Sequence, residues 1–118
     1  MEPGLPNSKP WWDKESHADR RPFLQGRARI RDAARDWFKR QGFTEVECGA
    51  LQVSPGNEAH LHGFQTDWVG ENGTRRPLYL HTSPEFASKK LLAAGETKIF
   101  DYARVYRNGE AGPLHSSE

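Results

Sequence analysis

Between Phe23 and Gln41 apolar residues return every three or four positions, so that Ile30, Ala33, Ala34, Trp37 and Phe38 share one helical face. Gly42 stands where a helix stop is expected, and the pattern predicts a helix over 23–41. The other face carries Arg27, Arg31, Arg35, Lys39 and Arg40 interleaved with Asp32 and Asp36, and a solvated surface explains it more simply than an RNA-binding stripe. Phe43-Thr44-Glu45-Val46-Glu47 alternates apolar and polar, as a short strand does with one side against a core, here the helix. A turn-rich loop follows at Ser54-Pro55-Gly56-Asn57-Glu58. Residues 64–69 and 78–81 then flank Glu71-Asn72-Gly73-Thr74, whose Asn-Gly pair signals a hairpin of two antiparallel strands. Ser83-Pro84-Glu85 has the order of a helix start: a hydroxyl cap, proline in the first turn and an acid at the positive end of the dipole. That helix should reach Ala94 and stop at Gly95. Residues 98–107, rich in Ile, Phe, Tyr and Val, read as a strand that leads into a loop over 108–118. Residues 1–22 hold four prolines and the pair Trp11-Trp12 without apolar periodicity, and read as an irregular tail ahead of a domain over 23–118.

Composition narrows the class. A chain of 118 residues has room for one small domain, and 35% hydrophobic against 28% charged residues lies on the polar side of globular usage. No apolar run is long enough to span a membrane, and the N-terminus lacks the charged start, apolar run and small-residue cleavage site of a secretion signal, so a cytoplasmic location is expected. The single Cys48 cannot form an internal disulfide. With a formal net charge of +1, nucleic-acid binding cannot be argued from the total.

Candidate chemistry gathers in the last third. Arg107-Asn108-Gly109-Glu110 followed by His115 puts a guanidinium, an amide, a carboxylate and an imidazole around one bend, which suits a phosphate-bearing ligand. A plain hairpin turn uses the same letters. Glu85 at a helix mouth could bind an ammonium group or serve only the helix dipole. His60 and His62 could in principle join His81 or Cys48 around zinc, but the spacing sets no third ligand, and packing or surface roles are the simpler account.

Three segments together carry more than each alone. Ser54-Pro55-Gly56-Asn57-Glu58 with His60-Leu61, Thr82-Ser83-Pro84-Glu85-Phe86 with Lys89 to Gly95, and Arg104-Val105-Tyr106-Arg107-Asn108-Gly109-Glu110 with His115 resemble the elongation factor P lysyltransferase family, paralogues of lysyl-tRNA synthetase. The resemblance covers about residues 23–118. It implies an α+β fold, the class II aminoacyl-tRNA synthetase catalytic domain, with an antiparallel sheet flanked by helices and here incomplete. Residues 30–51 would be the dimer-forming first motif and 102–118 the start of the ATP-binding second motif. By position, Ser83, Pro84 and Glu85 would belong to the lysine pocket, with Glu85 facing the α-ammonium. Arg107 would be the catalytic clamp on the ATP α-phosphate, and Asn108, Gly109, His115 and Ser116 would line the nucleotide. The implied reaction is ATP-dependent adenylation of lysine or β-lysine, with Mg2+ accompanying the ATP, and transfer to a lysine of elongation factor P.

The chain departs from the family at Cys48-Gly49, where Thr-Pro is usual in the motif of a homodimeric family, at Gly109, an acid in some members, and at Ser116-Ser117-Glu118, where Asn-Pro-Glu is usual. The family pattern continues beyond Glu118 with a partner strand and a third motif, so the chain is read as an N-terminal fragment without catalysis of its own. A lysyl-tRNA synthetase fragment is the alternative enzyme. It is disfavoured because residues 1–22 are too few for an anticodon-binding barrel, which leaves tRNA a weaker acceptor expectation. A non-catalytic remnant that binds a partner is the third reading.

Overall fold

The computed structural model describes residues 8–56, 61–113 and 115–118. It divides into two compact units, the first ending at Gln41 and the second running from Gly42 to Glu118.

The first unit is built on one helix, α1 (Lys14–Arg40). It begins nine positions before the periodic segment, and residues 14–22 are therefore not an irregular tail. The cause is local: the Asp13 carboxylate accepts the Ser16 backbone N–H at 3.2 Å and its hydroxyl at 3.4 Å, satisfying a first-turn donor, and Glu15 faces the positive end of the dipole. Lys9 adds ion pairs to Asp13 and Glu15. Pro22 sits inside the helix, where it forgoes one backbone bond. At the other end Lys39 and Arg40 lie in the last turn, the Gln41 N–H bonds back to the carbonyls of Trp37 and Phe38, and Gly42 turns the chain at φ 85°. No residue of α1 is buried in the described structure, and Ile30 of the expected core face is 72% exposed. Trp37 and Phe38 meet edge to face at 5.1 Å.

The second unit holds two small sheets. β1 (Thr44–Glu45) pairs in parallel with β5 (Ile99–Phe100), Thr44 opposite Ile99, and the Val46 N–H extends the ladder to the Phe100 carbonyl at 2.9 Å. β2 (Leu51–Gln52), β3 (Phe64–Val69) and β4 (Arg75–Leu80) form an antiparallel sheet in the order β2-β4-β3. The β3–β4 hairpin closes where Asn-Gly predicts it. Gly73 takes φ 80°, the Asn72 side chain accepts the Thr74 N–H, and the Gly70 N–H donates to the Thr74 carbonyl. Trp68 stands opposite Arg76, whose guanidinium lies 4.5 Å from the indole centroid. β4 starts three residues earlier than the sequence pattern suggests, and Pro77 is tolerated because β2 pairs only with Tyr79 and Leu80 further along.

Helix α2 (Glu85–Ala93) follows β4 and is closed by Ala94 and by Gly95 at φ 119°. The strand expected over 98–107 is reduced to β5. Beyond Phe100 the backbone donors go to separate segments: Tyr106 N–H to the His81 carbonyl, Arg107 N–H to that of Ser117 and Asn108 N–H to that of His62. Among the described residues only Leu78, Phe100, His81 and Thr82 are buried.

Candidate functional site

The site grows from the end of β4. Past Leu80 the His81 N–H donates to the Ala50 carbonyl at 2.8 Å, and Thr82 binds the Pro55 carbonyl twice, through its backbone N–H at 3.1 Å and its hydroxyl at 3.0 Å. The strand end is thus held on one side by the residues that flank β2, Ala50 before it and Pro55 after it. The approach there is close: a Cβ on Gly56 would lie 3.0 Å from Thr82 Oγ1, and one on Gly63 would lie 2.5 Å from Pro55 Cβ. On the other side stands the segment that bears Arg107. Its Tyr106 N–H donates to the His81 carbonyl at 3.1 Å, and the Arg107 Nε–H donates to the Thr82 carbonyl at 3.3 Å.

The next three residues open α2. The sequence order predicts Ser83 as the cap with Pro84 in the first turn. The structure puts Pro84 at the cap position and starts the helix at Glu85, while the Ser83 hydroxyl still accepts the Glu85 N–H at 3.1 Å. Glu85 is exposed, and its carboxylate pairs with Lys89 Nζ one turn along at 2.8 Å. A primary ammonium therefore already sits on the carboxylate that the sequence assigns to an ammonium ligand.

The bend after Arg107 folds on itself. Arg107 N–H bonds the Ser117 carbonyl at 2.8 Å, the Ser117 hydroxyl bonds the Glu110 carbonyl at 3.2 Å, and Gly112 N–H bonds the His115 carbonyl at 2.9 Å. Ser116 Oγ donates to the Glu118 carbonyl. Gly109 takes φ 81°, which a side chain would strain. Asn108 and Gly109 continue directly from Arg107, and His115 and Ser116 lie exposed on the returning arm. The structure thus bonds Arg107 to Thr82, the residue before Ser83-Pro84-Glu85, and sets Asn108, Gly109, His115 and Ser116 on the bend that begins at Arg107. No described contact joins the side chains of His115 or Ser116 to Arg107.

Arg107 is half-buried, and its one described guanidinium bond uses Nε. Both η nitrogens lack a described partner. A planar fork held at one corner and open at the other two suits two oxygens of a phosphate. Of the other histidines, His62 bridges to Asn108 through its backbone, and His60 lies outside the described residues, as do Asn57 and Glu58 of the first motif-bearing loop. Sequence reasoning missed Thr82 as the joint between the two halves and considered His81 only as a metal ligand. Their position directly before Ser83 was the available signal.

Comparison with known proteins covers nearly the whole chain. The family model for class II tRNA synthetases (D, K and N) matches residues 7–118. The elongation factor P–(R)-β-lysine ligase of Photobacterium profundum is 36% identical over 112 residues, which are 94% of this chain and 33% of that protein. The ligases of the same name from Vibrio vulnificus and Pseudoalteromonas translucida are 41% and 42% identical over 96 residues, 80% of this chain and 30% of each relative. The chain thus spans about a third of the length of the curated relatives it matches.

Proposed function

We propose that this chain, which belongs to the class II tRNA synthetases of the D, K and N group, carries the lysine-binding and ATP-binding arms of an enzyme that activates lysine or β-lysine and transfers it to a lysine of elongation factor P. Its fold is then the opening part of the class II catalytic domain, and its location the cytoplasm. In the first step the amino-acid carboxylate attacks the α-phosphorus of ATP and pyrophosphate leaves. In the second the acceptor amine attacks the activated carbonyl and AMP leaves.

One observation carries this reading: the bond from Arg107 Nε to the Thr82 carbonyl sets the guanidinium one residue from Ser83-Pro84-Glu85. Fixed positive charge at the α-phosphate stabilises the charge that develops there without reorganisation. Glu85 at the start of α2 offers a carboxylate to the substrate ammonium, and Ser83 and Pro84 line the same pocket. Asn108, Gly109, His115 and Ser116 flank the nucleotide along the bend. Magnesium would ride on the ATP phosphates. Among the described residues no group of three or more His, Cys, Asp or Glu could hold a metal ion, so none is assigned to it.

The names of the relatives favour a protein acceptor over tRNA. The test uses a chimera in which this chain is continued by the remaining length of the Photobacterium profundum relative. Incubated with ATP and labelled lysine or β-lysine, it should label elongation factor P and charge tRNA poorly, and Arg107→Ala should abolish the labelling. Efficient charging of tRNA with no label on elongation factor P would leave a lysyl-tRNA synthetase in its place.

A further inference from the structure

His81 is the most enclosed of the buried residues, 3% exposed, and no role has yet been given to its ring. Its backbone is committed on both sides, N–H to Ala50 and carbonyl to Tyr106. The ring makes a third link: Nε2 lies 2.7 Å from the Arg104 carbonyl oxygen. A carbonyl can only accept, so Nε2 carries the proton. Nδ1 is buried with no hydrogen-bond partner among the described residues. The opposite tautomer would set a bare nitrogen against the Arg104 carbonyl and bury an N–H without an acceptor, which is the costlier arrangement. The ring also stands 6.5 Å from that of Tyr106, centroid to centroid.

Apart from the N–H bond to Ala50, these contacts fall on the segment that ends in Arg107. Side chain and backbone of His81 reach Arg104 and Tyr106, and the next residue, Thr82, receives the Arg107 Nε–H. We infer that His81 is a positioning residue, held as its Nε2–H tautomer, which staples the Arg107 segment to the strand end that opens into Ser83-Pro84-Glu85. Its effect on the reaction runs through Arg107 and rests on the proposed function. The tautomer does not. Loss of the Nε2 bond lets the Arg104–Arg107 segment drift from the Thr82 carbonyl, and a guanidinium displaced from the α-phosphate costs turnover more than lysine binding.

Two measurements test this. The first is a long-range proton–nitrogen NMR spectrum of the 118-residue chain at neutral pH, labelled in histidine. His81 should show a protonated Nε2 and a bare Nδ1, and a protonated Nδ1 with bare Nε2 would overturn the inference. The second compares His81→Gln, whose amide nitrogen reaches the place of Nε2, with His81→Asn, whose amide reaches only that of Nδ1, in the chimera described above. Asn should lower kcat for lysine-dependent pyrophosphate exchange about tenfold with little change in the lysine KM, and Gln should recover most of the loss. Equal effects of Gln and Asn, or a loss confined to the lysine KM, would overturn the positioning role. Should the Asn variant fail to fold, the spectrum and the Gln variant decide: a Gln variant that folds but loses about tenfold in kcat counts against the staple. A chimera with His81 intact that shows no exchange at all refutes the proposed function and leaves the tautomer result standing.

Discussion

Glu85→Gln separates a ligand-binding carboxylate from one that only caps its helix. In the structure the carboxylate has two local functions. It pairs with Lys89 at 2.8 Å, both side chains being more than half exposed, and it stands in the first turn of α2. An exposed pair one turn apart contributes about 0.3–0.5 kcal/mol, and a carboxylate at the positive end of a helix about 0.3–1 kcal/mol. The substitution should therefore cost the fold no more than about 1.5 kcal/mol in a denaturant titration. Binding a substrate ammonium is a different order of effect, because one charge-assisted hydrogen bond contributes about 1.5–3 kcal/mol, or about 10- to 150-fold in affinity. The Lys89 pair competes only weakly, since its own contribution is several times smaller. Lys89→Ala should then leave lysine use intact or raise it about twofold, by the strength of the pair it removes. The assay is lysine-dependent pyrophosphate exchange by the chimera, titrated with lysine at saturating ATP and then the reverse. For Glu85→Gln the lysine curve should shift by about 10- to 150-fold and the ATP curve hardly at all. Equal shifts in both curves, or no shift in either, would refute the ammonium role and leave Glu85 a helix-terminal residue.

Gly63→Ala should destabilise the second unit by about 1–3 kcal/mol in denaturant titration, because the new Cβ would meet the rigid Pro55 ring at 2.5 Å, and an unchanged midpoint would mean the loop around Pro55 yields freely. Gly49→Ala should do the opposite and gain about 0.4–1 kcal/mol, since nothing lies within 4 Å of its added Cβ and its φ is not positive. In α1, Pro22→Ala restores a backbone donor in the helix interior, worth up to about 3 kcal/mol of local helix stability, so the far-ultraviolet helical signal should persist to higher temperature. A signal that falls or stays the same would show that residues 14–21 are not part of one continuous helix in solution.

Elements governed by local chemistry were legible from the residues. The hairpin follows from Asn72-Gly73, where only a residue tolerant of positive φ closes the turn, and α2 ends within a residue of its expected stop because Gly95 can take φ 119°. Where two local signals conflict, the reading fails. At the start of α1 the prolines argue for a tail, but Asp13 and Ser16 form a cap that outweighs one internal proline. Over 98–107 the β-forming letters are real. A strand, however, needs a single neighbour to take its donors in succession, and here the donors of residues 106–108 go to three different segments. The face with Ile30 and Trp37 reads as core from its spacing, yet both residues are more than half exposed. Periodicity reports that a face is apolar and carries no information on what covers it.

The site shows the same division at closer range. Arg107, Glu85 and their neighbours could be picked out because motif order and residue chemistry are properties of the chain alone. What joins them could not, because the linking bonds span 23 residues from His81 to Arg104, 25 from Thr82 to Arg107 and 27 from Thr82 to Pro55. Two of the four buried described residues are polar, and His81 and Thr82 are more enclosed than Leu78 or Phe100. His81 is bonded there through Nε2 and both backbone groups, and Thr82 through its hydroxyl, N–H and carbonyl, so the joint between the proposed lysine and ATP arms is held by directional bonds more than by apolar area. Directional bonds fail abruptly with geometry, whereas apolar contacts fail gradually with area. A change at His81 or Thr82 should therefore disturb the placement of Arg107 well before it unfolds the second unit, and a comparable loss of apolar volume at Leu78 should lower stability first.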